Sequence, residues 1–464
     1  MTGTGLLAEV WGLLGLGAVP TVRVRGTTGL DGVLPVPDLA VGAVAAQLAA
    51  ARLLAGTGLL AGTRRPGETR SPAGRRARAD ADPVEVDAAH VGLSFRSERY
   101  ARVGGRPTGV GFHPLSRFWP TADGWLRLHA NYPHHRAAAV RVLGEDVGPS
   151  AARWAAVELE SAVVAAGGAA AAVRPASNWT ASAPGRAVAD RPLVDLRRVA
   201  DGPPGRAVPS GLRVLDGRRV LDLTRVIAGP VATRTLASHG ADVLRVDGPR
   251  LAEDPAQLVD TGPGKQHVVL DLASPADRRT VEELLAAADV VVSGYRPGAL
   301  ARFGLDAAAL GERHPQLVVV QISAWGSVGP WGDRRGFDSL VQAATGIAVC
   351  CGSVSEPGAL PAQALDHATG HLAAAAVLGA LARQRVEGGG WHADLSLART
   401  AHWLLNAPRP AALAAAGPID PAPYLLSLPS ADGDVTVVAP PGSPPWTTAA
   451  RFLGSPRPDW RPRT

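Results

Sequence analysis

Asp366 stands in Gln363-Ala-Leu-Asp-His-Ala-Thr-Gly370, at the head of an alanine- and leucine-rich helical run. A carboxylate there can act as a nucleophile on an activated acyl group, splitting one hard transfer into easier steps. Backbone N–H groups at the helix start would favour the oxyanions that develop. The other reading of the same residue is an ordinary N-cap. Asp338, in Arg335-Gly-Phe-Asp338 followed by Gln342 and Gly346, reads as a structural hydrogen-bonding carboxylate. Asp38 stands four residues before Gly42, as Asp366 does before Gly370, and reads as a relic of that site or as an N-cap. The loop Thr224-Arg-Val-Ile-Ala-Gly-Pro230 opens a helix, where N–H groups favour phosphate; the alternative is a plain strand-to-helix turn. The histidines of His129-Ala-Asn-Tyr-Pro-His134-His135 match no zinc-ligand spacing and read as a loop with solvated rings, so no metal site is expected.

These residues need a scaffold, and the chain is long enough for one. Its 464 residues suffice for two to three domains, and 46% apolar residues supply a large core. The net charge is +6, with basic residues dispersed among acids and not gathered in a stripe. That excludes a nucleic-acid footprint and suits a small anionic substrate. Cys350 and Cys351 are adjacent and form no disulfide framework, which fits a reducing cytoplasm. Leu6–Val19 is apolar but carries Glu9, has no basic flank and is too short to span a bilayer, so neither a signal peptide nor a membrane anchor is expected.

The elements alternate after a Gly/Pro break at 201–205. Strands are expected at 220–223, 243–246, 290–292 and 317–322, with helices opening near Gly229-Pro230 and at Ser274-Pro275. Strands alternating with helices imply a doubly wound parallel sheet. No G-x-G-x-x-G is present. A stretch over about 62–85 rich in Arg, Gly and Pro reads as a linker. Asp38–Gly42 echoes Asp366–Gly370, and Thr121–Gly144 echoes Ser430–Gly454. The chain therefore reads as two divergent copies of one plan: a partial copy at 1–205, with a small domain at about 90–200, and a fuller one at 206–464 with a truncated tail.

Together these motifs resemble the family III CoA-transferases, also called the CaiB/BaiF family. The likeness is strongest over about 211–405. It rests on the 224–230 loop, Lys265-Gln-His-Val-Val-Leu270-Asp, Ser293-Gly-Tyr295-Arg-Pro-Gly298 with Arg302, the Arg335–Gly346 block and Asp366. The resemblance implies an α/β fold with a Rossmann-like large domain and a smaller α+β domain, assembled as interlocked homodimers. It implies transfer of CoA from an acyl-CoA to a carboxylic acid, CoA being a substrate and no cofactor being permanently bound. Asp366 would be the nucleophile. Arg225, Val226, Ala228, Lys265, Leu270, Tyr295, Arg302 and Arg335 would contact CoA, with Tyr295 and Arg302 at its nucleotide end. Gly294 replaces the family's asparagine. Related racemases carry histidine where this chain has Phe337, and a phenyl ring exchanges no proton. Two rivals remain: an acyl-CoA racemase or isomerase with Asp366 as base, in which His367 or His371 would stand in for the absent histidine, and a non-catalytic CoA-binding subunit.

Overall fold

The computed structural model describes residues 3–61, 82–109, 111–206, 213–409, 417–449 and 458–461. Most of the expected linker, and the 451–454 end of the second echo, lie outside the described residues.

Helix α1 (Val36–Ala61) comes early in the chain. A small antiparallel sheet of β1 (Phe118–Pro120), β2 (Trp125–Leu128) and β3 (Ala170–Ala172) follows. Side chains alternate along a strand. Leu126 and Leu128 thus enter a local core with Trp119 and with Leu143 of helix α2 (Pro133–Leu143), and Arg127 takes the other face. Strand β4 (Asp195–Ala200) closes this part. Then come β5 (Arg219–Leu223), α3 (Ala228–Ser238), β6 (Asp242–Asp247), β7 (Lys265–Val269), β8 (Val290–Ser293) and β9 (Val318–Ser323). Helices α4 (Asp338–Thr345) and α5 (Ala364–Glu387) and strand β10 (Gly390–Ser396) complete the frame.

These strands form one seven-stranded sheet in the order β7-β6-β5-β8-β9-β10-β4. All neighbours are parallel except β4, which joins the β10 edge antiparallel. The valine runs of β8 and β9 are buried, as in a sheet covered on both faces. Helix α3 begins at Ala228, two residues before the expected Pro230, and Gly240 at φ 104° follows its end. Ser274 caps the helix Pro275–Ala286, accepting a bond from the Asp277 N–H.

The chain order reverses between β5 and β8, so the loops leaving their carboxyl ends part and leave a crevice, where open α/β sheets bind ligands. The division expected at 205/206 falls in the connection between β4 and β5, and strands from both sides of it share this sheet. Helix α1 packs along α5. Its stretch Val36–Gly56 is long and apolar enough to cross a membrane, but 72% of that window is buried inside the protein, as in a core helix.

Candidate active site

Asp366 lies in the first turn of α5, 7% exposed. Its own N–H donates to Asp338 Oδ2 at 3.0 Å, and the Leu365 N–H adds to that carboxylate. Gln342 Nε2 donates to Asp338 Oδ1, and its Oε1 accepts from the Leu360 N–H at 2.9 Å. Asp338 therefore caps the helix that carries Asp366, from a neighbouring helix. The Asp366 carboxyl itself accepts no hydrogen bond among the described residues. The N-cap reading of Asp366 fails on this geometry. The oxyanion role expected of the helix-start N–H groups also needs correction, because the Asp366 and Leu365 N–H groups are already committed to Asp338.

Burial, and then the Asp338 charge, push the Asp366 carboxyl well above the usual carboxylate range. Burial pushes Asp338 up to about 6 against the hydrogen bonds that favour its anion. The two carboxyls share one desolvated site, so they titrate as a pair.

Gly370 sets this helix against the next part of the site. A Cβ there would lie 2.5 Å from the Ala228 carbonyl oxygen and 2.9 Å from Val231 Cβ. Only glycine lets α5 rest this closely on α3, whose first turn carries Ala228. Gly42 plays the same part in α1: a Cβ there would lie 2.7 Å from the Gly3 oxygen. Asp38 accepts the Gly3 N–H at 2.9 Å, so its carboxylate is engaged in holding the chain's first helix, Thr4–Leu14. In both Asp-x-x-x-Gly segments the glycine is what permits the close helix approach.

The loop before α3 is strained and pinned. Val226 has φ 68°, uncommon for a β-branched residue and costly by about 1–3 kcal/mol. Glu253 holds it, accepting the Val226 N–H at 2.9 Å. The same carboxylate accepts from Tyr132 Oη at 2.8 Å and Arg245 at 3.1 Å, and pairs with Arg225 at 3.5 Å. Arg225 lies over the Tyr132 ring, 5.0 Å from its centre.

At the carboxyl ends of β5, β6, β7 and β8 is a cavity of about 220 Å³. Leu270, Tyr295 and Arg302 line it with Asp247, Arg250 and Phe303. Arg302 is exposed and stacks over Phe303 at 4.6 Å. Burial pushes the Tyr295 hydroxyl up to about 12, with the Arg225 charge opposing. Among the described residues no three metal-type side chains converge.

Two of the three histidines overturn the expectation of a solvated loop, while His134 is exposed as expected. His129 and His135 are each 4% exposed, because this segment runs over Phe337. The His129 ring stacks on the Phe337 ring at 3.6 Å with 2° between planes. His135 meets the same ring edge-on at 5.6 Å. Burial pushes both imidazoles down to about 3, so they are neutral at pH 7. His367 and His371 are also buried and pushed down, against Phe95, and make weak bases; a racemase using them is disfavoured.

Residues 215–463 match the model of CoA-transferase family III. The chain belongs to this family. It is 31% identical to an acyl-CoA transferase of Gibberella moniliformis over 309 residues, 60% of this chain and 54% of that protein. It is 33% identical over 217 residues to a succinate–glutarate CoA-transferase of Agrobacterium fabrum, covering 42% of this chain and 52% of that one. A probable fatty acyl-CoA transferase of Mycobacterium tuberculosis is 34% identical over 189 residues, 38% of this chain and 48% of the relative. The chain spans about half the length of these curated relatives.

The fold brings some of the family-implied CoA residues together and not others. Arg225, Val226 and Ala228 form one loop and helix start; Leu270, Tyr295 and Arg302 share one cavity. Arg335 is half-buried near Arg296 and His134, on the same side as Arg225. Lys265 stands apart. It is 3% exposed, and its Nζ donates to Asp222 at 3.0 Å, the Pro230 oxygen at 2.9 Å and Thr233 at 2.6 Å. All three donors are used beneath α3, leaving none for CoA. Sequence reasoning missed Glu253 and read the segment of His129 and Tyr132 as a solvated loop. Their motifs are weak, and only the tertiary fold carries 129–135 to this sheet.

Proposed function

We propose that the chain transfers CoA between an acyl-CoA and a carboxylic acid, with Asp366 as the nucleophile. The observation that carries this is a buried Asp366 carboxyl, free of hydrogen bonds among the described residues, on a helix start held by Asp338 against the Ala228 loop. An Asp366 oxygen attacks the thioester carbonyl, the C–S bond breaks and CoA leaves as thiolate, giving a mixed anhydride. The thiolate then attacks the Asp366 carbonyl, which releases the donor acid and leaves an aspartyl-CoA thioester. The acceptor carboxylate attacks that thioester, re-forming an anhydride and the thiolate. Attack of the thiolate on the acceptor acyl carbon gives the new acyl-CoA and frees Asp366. No net proton is required, which suits a dry site. The strand order supports a Rossmann-like reading of the large sheet, with CoA lying along the crevice past Tyr295 and Arg302. The same proposal takes the enzyme as a cytoplasmic homodimer, and 1–205 as a partial copy of 206–464.

Mass spectrometry after incubation with an acyl-CoA and hydroxylamine tests this reading. A hydroxamate on Asp366 is expected; modification elsewhere, or none with any acyl-CoA, would sink it. Two further outcomes follow. Arg302→Ala should raise KM for acyl-CoA by about tenfold with a smaller change in kcat, since one charge-assisted contact to a phosphate is worth about 1.5–3 kcal/mol; steady-state kinetics decides. Attack needs the Asp366 anion, so activity should rise with pH. Asp338→Asn removes the like charge that raises Asp366, and the rising limb of its pH–rate profile should move to lower pH. An unmoved limb would uncouple the two carboxyls.

A further inference from the structure

Five cations are buried among the described residues: Arg127, Arg218, Arg234, Arg245 and Lys265. Four of them sit in ion pairs, with Asp289 at 2.9 Å and with Asp260, Asp247 and Asp222 at 3.0 Å each. Arg127 has no such partner. It is 8% exposed, makes no hydrogen bond or ion pair to a described residue, and its Nε is enclosed without an acceptor. A guanidinium taken from water without an anion is costly to fold around. Two aromatic faces offset a part of that cost: the Phe112 ring centre lies 5.3 Å and the Phe118 ring centre 5.1 Å from its central carbon.

Its place in the fold shows what it awaits. Leu126 and Leu128 turn into the small core, so Arg127 takes the opposite face of β2, the face on which α4 packs. His129, two residues on, lies on Phe337, which directly precedes Asp338. The Arg127 charge is felt at Asp338, the residue that caps the Asp366 helix. A carboxylate entering to accept CoA would be the third carboxyl beside Asp338 and Asp366, and repulsion would exclude it without a cation. Arg127 is the buried cation whose charge acts on Asp338, without an ion-pair contact of its own. Its planar fork matches a carboxylate.

We propose that Arg127 binds the reacting carboxylate of the acceptor acid; this rests on the transfer reading above and names the residue that makes room for its second substrate. The test uses the full chain with sodium propanoate as probe, followed by NMR or calorimetric titration. Wild type should bind propanoate, and Arg127→Gln should weaken it at least about tenfold, the loss of one charge-assisted contact. CoA affinity should be unchanged in the same variant. In kinetics, KM for the acceptor acid should rise by a similar factor, and the amount of Asp366 adduct formed from acetyl-CoA should hold. The melting temperature of Arg127→Gln should not fall, because an unpaired buried charge is removed. Arg127→Lys keeps the charge without the fork, and should bind propanoate with intermediate affinity. Equal propanoate affinity in wild type and either variant overturns the proposal, as does a parallel loss of CoA binding or no propanoate binding by wild type. Wild type that binds propanoate through Arg127 but never forms an adduct at Asp366 sinks the transfer reading and leaves this carboxylate site standing.

Discussion

Asp366→Asn is expected to lower transfer activity by roughly three orders of magnitude or more, since removing an essential nucleophile costs at least that in comparable enzymes. Folding should survive, because the cap on α5 comes from Asp338 and not from Asp366. The pH dependence of stability gives a second readout. A carboxyl whose folded pKa is raised contributes stability that is present below the ordinary aspartate range. That contribution is lost as pH rises through the folded value. Asp366 is such a group. The asparagine chain should therefore gain on wild type as pH rises, with melting curves close together near pH 4 and separated at pH 8. Full activity in the variant would remove the mechanism. A melting difference that shrinks with pH would remove the electrostatic account of the site. Asp38→Asn should leave activity largely intact, since that carboxylate is bonded to Gly3.

Lys265→Met should destabilise the protein by about 3–5 kcal/mol, the range for breaking a buried ion pair by removing one partner. The variant strands Asp222, fully buried, which also accepts from Thr233 Oγ1 at 2.6 Å and the Thr224 N–H at 3.0 Å. Burial has already pushed Lys265 down to about 8, so the site holds the ammonium against its desolvation. Urea unfolding measures the loss. Adding Asp222→Leu should recover a substantial part of it, because replacing both charges by apolar groups removes the stranded carboxylate. CoA affinity of the folded fraction should hold in the single variant. A specific loss of CoA binding at unchanged stability would instead return Lys265 to the ligand.

The sequence by itself determined four strands of the seven-stranded sheet and marked the residues that could bear chemistry. Runs such as Val290–Val292 and Val318–Val320 have one stable environment, a strand buried on both faces. Turn signals such as Ser274-Pro275 act within a few residues, so they can be read without the fold. The motif around Asp366 was legible for the same reason: its glycine spacing is local, and that spacing sets how closely a helix can be approached. Which groups would meet was not legible. Asp338 precedes Asp366 by 28 residues in the chain, yet caps its helix. Tyr132 reaches Glu253 across 121 residues, and Arg127 on β2 and His129 just past its end arrive from the other half of the chain. The role of Lys265 reversed on the same account, since its motif sits at the surface of a pattern while its side chain is under a helix. Burial and pairing depend on contacts between distant segments. Those contacts set the desolvation and the neighbouring charge that turn an ordinary aspartate into a raised, paired carboxyl.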